Sequence, residues 1–94
     1  MPTVRQQIID LLRVEELNAM EISQAVSIRE REVYEHLHHI SQSLASQGKR
    51  LEITPYACAS CDFTFKDRHR LSRPSRCPQC KGGHIRMATY RVTG

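Results

Sequence analysis

Tyr56-Ala57-Cys58-Ala59-Ser60-Cys61-Asp62-Phe63, followed by Cys77-Pro78-Gln79-Cys80, is the stretch that decides how this chain folds. Its four cysteines are the only ones in 94 residues, set as two C-x-x-C pairs with fifteen residues between them. That is the spacing of a two-knuckle metal site. Each tight pair offers two thiolates to one side of an ion, and a hairpin-length spacer lets the pairs converge as a tetrahedron. Two redox dithiols or two disulfides are the competing readings, but a disulfide across so short a loop is a poor staple. A metal centre at Cys58, Cys61, Cys77 and Cys80 is therefore expected. A closed set of four thiolates suits Zn²⁺, which is redox-inert and leaves no open position for catalysis. Iron takes the same four-sulfur geometry and remains the alternative. A module of fewer than ~40 residues buries too little core to fold alone. Metal binding of about 10–16 kcal/mol, as in structural zinc peptides, is ample to order it. Tyr56, Phe63 and Phe65 are expected to pack round the cluster. His69 and His84 are potential ligands too, but four cysteines already complete the set.

Working outward, Lys49-Arg50-Leu51-Glu52-Ile53-Thr54 alternates polar and apolar residues and predicts a strand. Ile85–Val92, rich in Thr, Tyr, Ile and Val, predicts another. The two are expected to pair antiparallel, with the cysteine module carried between them. Upstream, Thr3 and Gln6 are spaced as a capping box, and Val4, Ile8, Leu11 and Leu12 recur at helical spacing, predicting a helix over 3–13. Asn18, with Glu21 at the reciprocal position, caps a second, short helix whose apolar residues are Met20, Ile22, Ala25 and Val26. Ser27-Ile28 breaks the chain tightly. A third helix is predicted over 30–46, and Gly48 marks its end.

In that third helix Val33, Leu37, Ile40 and Leu44 step by four, three and four, which makes a core-facing stripe. At about 100° per residue the opposite face carries Arg31, Glu35, His38 and Gln42, with Tyr34 and His39 beside them. His36 falls at the edge of the stripe. A short helix, a tight turn and a longer helix with a polar outer face is the helix-turn-helix arrangement.

The net charge of +4 hides a split. Residues 1–47 hold four Arg/Lys against seven Asp/Glu, whereas residues 48–94 hold ten against three. The cations concentrate in the spacer Lys66-Asp67-Arg68-His69-Arg70-Leu71-Ser72-Arg73-Pro74-Ser75-Arg76, which has neither helical nor strand period. A charge run is more often just a solvated loop. A +7 half of which metal-bound thiolates neutralise only part still points to an anionic partner, nucleic acid first. No apolar run follows the N-terminal charges and no stretch approaches the ~18 apolar residues of a membrane span. With thiols in metal-binding pairs, a reducing cytoplasm is expected and no membrane partner. No Ser/His/Asp spacing, phosphate-cradling glycine loop or open metal position is present, so no enzymatic activity is expected.

Ile22-Ser23-Gln24-Ala25-Val26-Ser27-Ile28, then Val33-Tyr34-Glu35-His36-Leu37, resembles the winged helix-turn-helix of prokaryotic transcriptional regulators over roughly residues 3–54. Tyr56–Phe63 and Cys77–Cys80 are similar to a rubredoxin-like zinc ribbon, and a small group of such regulators combines the two. Rubredoxins carry Gly directly after each second cysteine, whereas this chain has Asp62 and Lys81 there, with Gly at 82 and 83. The family's third helix usually opens with Ser, Thr or Asp, where this chain has Arg29.

The resemblance implies an α+β fold: a three-helix winged helix-turn-helix with the zinc ribbon inserted at the wing. Residues 1–54 would form the helical core and first wing strand, 55–84 the ribbon and 85–94 the return strand. It also implies a regulator of double-stranded DNA. Helix 30–46 would enter the major groove with Arg31, Tyr34, Glu35, His38 and Gln42. Lys66, Arg68, Arg70, Arg73, Arg76 and Lys81 would contact phosphates, with Arg86 beside them. One short helix specifies few bases, so sequence reading would need two half-sites; the chain either forms a homodimer through its existing helices or acts alone. Two alternatives stay open. One is a protein-interaction adaptor of the transcription machinery, which suits the acidic N-terminal half. The other is an iron-containing rubredoxin-like redox protein.

Overall fold

The computed structural model describes residues 3–66 and 71–94. Helix α1, Val4–Val14, is opened by the Thr3 hydroxyl, which accepts the Gln6 N–H at 3.1 Å. The Gln6 side chain does not reach back; it donates to Asp10 at 3.0 Å, so only half of the expected capping box forms. In α2, Ala19–Val26, the box is complete: the Glu21 N–H donates to Asn18 Oδ1 at 2.8 Å and the Asn18 N–H to Glu21 Oε1 at 2.9 Å. Ser27 then turns left-handed, φ 57°, and ends the helix.

Helix α3 spans Glu30–Ser46. Arg29 has no side-chain acceptor for the cap, and its N–H reaches only a long contact with Glu32 Oε2 at 3.4 Å. The far end closes well. Gly48 takes φ 74°, the Lys49 N–H donates to the Leu44 carbonyl at 2.9 Å and the Gly48 N–H to Ala45 at 3.3 Å. These are the two bonds of a Schellman cap, which needs a residue tolerant of positive φ at that point.

The predicted stripe of α3 is the core. Val33, Leu37, Ile40 and Leu44 are all buried, against Ile8 and Leu12 of α1 and Ile22 of α2. The apolar residues expected to line α2 behave differently: Ile22 is buried and Val26 half-buried, while Met20 and Ala25 are exposed. Two helical turns present few positions inward, and Ala19, three residues before Ile22, takes the other one.

A three-stranded antiparallel sheet closes the core, in the order β1 (Leu17–Asn18), β5 (Thr89–Thr93), β2 (Arg50–Thr54). Leu51 faces Val92 and Ile53 faces Tyr90 across the β2–β5 pair. Tyr90 and Val92 alternate inward and are buried under the helices. Strand β1 was not foreseen, because two residues are too short to show a period. The Glu16 carboxylate ties its entrance to the sheet, accepting from the hydroxyls of Thr54, at 3.4 Å, and Thr89.

The segments expected to pair antiparallel do so, with one correction. Ile85–Val92 is not a single strand. Ile85–Arg86 forms β4 and pairs with β3, Ala57–Cys58, at the base of the cysteine module. The chain then breaks at Met87 and Ala88 before entering β5. The two halves pair with different partners, so one continuous strand cannot serve both. Residues 55–88 thus leave the sheet after β2 and return to it at β5, carrying the cysteine module out to one end. The molecule is accordingly elongated, 45 × 28 × 20 Å, with a radius of gyration of 13.7 Å. A spherical chain of this length would have about 12 Å. Among the described residues no helix is long and apolar enough to cross a membrane.

Candidate metal centre

Two turns of matching shape bring the four sulfurs together. In the first, the Asp62 N–H donates to the Cys58 carbonyl at 2.9 Å and the Cys58 N–H to Phe63 at 2.8 Å. In the second, Lys81 donates to Cys77 and Cys77 to Gly82, both at 2.9 Å. Each turn requires positive φ after its second cysteine, and Asp62 (62°) and Lys81 (64°) adopt it although neither is glycine. Asp tolerates this region through its short polar side chain; Lys takes it at some cost in strain, which the surrounding hydrogen bonds hold. The departure from rubredoxin-like glycines is therefore one of residue and not of backbone shape. Gly82 serves differently: a Cβ there would meet the Cys80 sulfur at 3.3 Å.

The sulfurs of Cys58 and Cys80 lie 3.4 Å apart and those of Cys61 and Cys77 3.6 Å apart. All four fall within 4.8 Å of one another. A tetrahedron with metal–sulfur bonds of about 2.3 Å has edges of about 3.8 Å, so the donor set fits a tetrathiolate ion. Cys58 and Cys77 are buried, Cys61 is half-buried and Cys80 is exposed.

The thiols hold protons unequally. Burial pushes Cys58 up, but the N–H groups of Cys61 and Ser60 and the adjoining thiols of Cys80 and Cys61 bring it down to about 6. Cys77 is lowered likewise, burial being outweighed by the N–H groups of Cys80 and Gln79. At Cys61 the Phe63 N–H lowers the thiol, yet burial and three neighbouring thiols raise it overall. Cys80 is raised too, the Gly82 N–H being outweighed by Cys58 and burial. The first cysteine of each knuckle is thus the readier thiolate. A bound divalent cation supplies the positive charge that lets the second of each pair ionise as well.

Around the cluster, Phe63 and Phe65 meet edge to face at 5.2 Å, and Phe65 and buried Tyr56 continue into the main core. The Ala59 N–H donates to His84 at 2.8 Å, which ties the first knuckle to the second half of the module. His84 itself is exposed and is not among the four clustered ligands. His69 lies outside the described residues.

The residues read as facing a groove divide into two groups. Arg31, Glu35, His38 and Gln42 are exposed on the side of α3 away from its buried stripe. Tyr34 is not with them. It is half-buried, its hydroxyl donates to Glu30 Oε2 at 2.6 Å, and the Tyr56 hydroxyl lies 3.4 Å away. Burial, then Glu30 as acceptor, holds its phenol well above the ordinary range. His39, placed beside the outer face, is exposed next to His38, the rings edge to face at 5.7 Å. His36 accepts from Arg5 Nε at 3.3 Å at the margin of the core.

Of the cations assigned to phosphate contact, Lys66, Arg76 and Lys81 are exposed and carry no ion pair among the described residues. Arg73 is committed to Glu30, with Nη2 at 2.9 and 3.2 Å from the two carboxylate oxygens. Arg86 donates to Asp62 at 2.8 Å in an exposed pair. Arg68 and Arg70 lie outside the described residues. Sequence reasoning missed this junction between helix and ribbon, because Arg73 and Glu30 are 43 positions apart and no local pattern connects them.

Protein PF0610 from Pyrococcus furiosus, whose structure was solved in solution by NMR, has a similar fold, with a TM-score of 0.82 and 28% sequence identity. The match covers 97% of this chain and 89% of that one. A comparison with curated proteins returns no match. The family described as "PF0610-like, N-terminal" matches residues 3–51, the helical half with the opening of β2. This chain belongs to the PF0610-like, N-terminal family.

Proposed function

We propose that this protein is a DNA-binding transcriptional regulator, in which α2 and α3 act as a helix-turn-helix, β2 and β5 as a wing, and the cysteine module as a zinc ribbon on that wing. The observation that carries this reading is the outward face of α3. Arg31, Glu35, His38 and Gln42 are all exposed on one side of a helix of 17 residues, opposite four buried apolar residues. Such a helix is long enough to lie in a major groove, and those side chains are able to donate to and accept from base edges. Lys66, Arg76 and Lys81 on the ribbon supply the phosphate contacts, which add affinity without sequence information. Zinc acts as a structural ion in this reading, since a closed four-sulfur site leaves no coordination position for substrate.

Selection from a pool of random duplexes, followed by a salt series on the selected sequence, tests the proposal. A regulator yields a preferred sequence, and log K falls with log salt by about 0.9 per phosphate neutralised. Failure to enrich any sequence, with no binding at low salt, overturns it.

A second reading, the protein-interaction adaptor, is favoured by a different face. Leu11, Val14, Ala25 and Val26 line an apolar groove between α1 and α2, edged by Asp10 and Glu15, and Val14 is 82% exposed. An acidic rim around an apolar floor suits a partner protein better than a phosphate backbone. Duplex binding decides between the two readings. The iron-containing redox alternative is separated by colour: a colourless protein carrying one equivalent of zinc after growth in iron-replete medium dismisses it.

A further inference from the structure

The ribbon is seated on the helix that the preceding reading places in the groove, and the seat is polar and specific. Glu30, in the first turn of α3, accepts from Arg73 Nη2 at 2.9 and 3.2 Å and from the Tyr34 hydroxyl at 2.6 Å. Tyr56 donates to the Leu71 carbonyl at 2.7 Å and lies 3.4 Å from the Tyr34 hydroxyl. One helix carboxylate, two phenols, one guanidinium and one loop carbonyl thus form a continuous chain of contacts. Tyr56 is buried, and Tyr34 and Glu30 are partly so, which shields the chain from solvent on the helix side.

Both ribbon anchors are close in sequence to metal ligands. Tyr56 precedes Cys58 by two residues and Arg73 precedes Cys77 by four, with buried Pro74 between. The Tyr56 carbonyl also accepts the Phe65 N–H at 2.9 Å, within the first knuckle's own hairpin. Any change that unfolds the knuckles displaces both anchors. Conversely, an ordered metal centre would keep Arg73 beside Glu30 and Tyr56 beside Tyr34.

We infer that Arg73, Tyr56, Glu30 and Tyr34 are positioning residues that clamp the ribbon to the first two turns of α3, so that the folded metal module sets how this helix is presented. Arg73 then belongs to the clamp and not to the phosphate-contacting set, unlike Arg76 and Lys81. This assignment rests on the proposed regulator reading for its consequence at DNA, but the clamp itself is a property of the free protein. The Glu30 carboxylate beside the Arg73 guanidinium offsets its positive charge and so lowers its net attraction for a phosphate. Losing the guanidinium removes the register between helix and ribbon instead.

The test has two arms on the zinc-loaded full chain. In the first, amide hydrogen exchange is followed without DNA. Arg73→Glu is expected to speed exchange at Val33, Tyr34 and Glu35 by about fivefold, the size of effect that losing one partly buried polar contact produces. The conservative variant Arg73→Lys, which keeps a cation beside Glu30 and leaves the Tyr34 acceptor in place, is expected to exchange at rates close to wild type. Stripping the metal with a chelator should reproduce the effect of Arg73→Glu while the amides of Leu37 and Ile40 stay protected. Unaltered exchange in Arg73→Glu, or Arg73→Lys exchanging as fast as Arg73→Glu, overturns the clamp. In the second arm, Arg73→Ala is expected to weaken duplex binding with the salt slope unchanged, whereas Arg76→Ala lowers the slope by about 0.9. An equal drop in slope for Arg73→Ala overturns the assignment. Wild-type protein that binds no duplex sinks the regulator reading alone, and the exchange arm still decides the clamp.

Discussion

The two C-x-x-C pairs carry most of what a single residue determines in this protein. Their spacing was legible because metal ligation leaves a local trace: two thiolates three positions apart, with a turn between them. Cys58→Ser and Cys80→Ser are each expected to lose bound metal and the dispersed NMR signals of residues 55–84. Elemental analysis showing an unchanged metal content would refute the ligand assignment. Gly82→Ala should weaken the centre more mildly, since its Cβ would crowd the Cys80 sulfur at 3.3 Å. The tyrosines divide by their partners. The Tyr56 hydroxyl has an acceptor in the Leu71 carbonyl, while the Tyr90 hydroxyl is buried with no hydrogen-bond partner among the described residues. Tyr56→Phe is therefore expected to cost about 1 kcal/mol, and Tyr90→Phe to be neutral or stabilising. Denaturant midpoints of the two variants check this, and a larger loss at Tyr90 would show that its hydroxyl is satisfied after all. None of this second pattern was visible in the sequence, because whether a phenol finds a partner depends on what folds over it.

At the scale of elements, periodicity decided well where an element was long. Helix α3 begins and ends where the spacing of Val33, Leu37, Ile40 and Leu44 and the position of Gly48 predicted. Its buried stripe is continuous, so Leu37→Ala should destabilise the chain by about 2–5 kcal/mol, read from the shift in denaturant midpoint. A loss under ~1 kcal/mol would mean that the stripe is not the centre of the core. On the opposite face, His38→Ala and Gln42→Ala are expected to alter which duplexes are preferred while leaving the fold intact. Sequence preferences identical to wild type would remove α3 from the groove. Short elements were harder to read. The two-residue β1 gives no alternation, and the split of Ile85–Val92 into β4 and β5 follows from pairing partners far away in the chain. Tyr34 was assigned outward by its helical angle, yet it sits at the boundary of the two faces. The arrival of Tyr56 and Arg73 decides that it turns inward.

Across the whole molecule, an acidic helical half and a cationic half that holds the cysteine module share a body 45 Å long. The ribbon depends on its thiolates, so acid should release its metal. Cys58, held down to about 6, keeps its thiolate above that pH and loses it as pH falls through that value. Cys77 is shifted in the same direction. Protons compete with the metal for these thiolates, so retention is expected at neutral pH and release only in acid below the range in which the free Cys58 thiol titrates, with the helical signal in far-ultraviolet circular dichroism largely preserved. Helices melting in step with metal release would contradict that separation. The sequence alone determined the ligand set, the three helices, the buried stripe of α3 and the uneven distribution of charge. Each of these is written in spacings of three, four or a few residues, which local geometry reads directly. Only the tertiary structure decided that Asp62 and Lys81 adopt the turn expected of glycines, that the last strand divides, and that Arg73 and Tyr56 meet Glu30 and Tyr34. Those contacts join segments tens of residues apart, and their energies exist only once the core has brought the segments together.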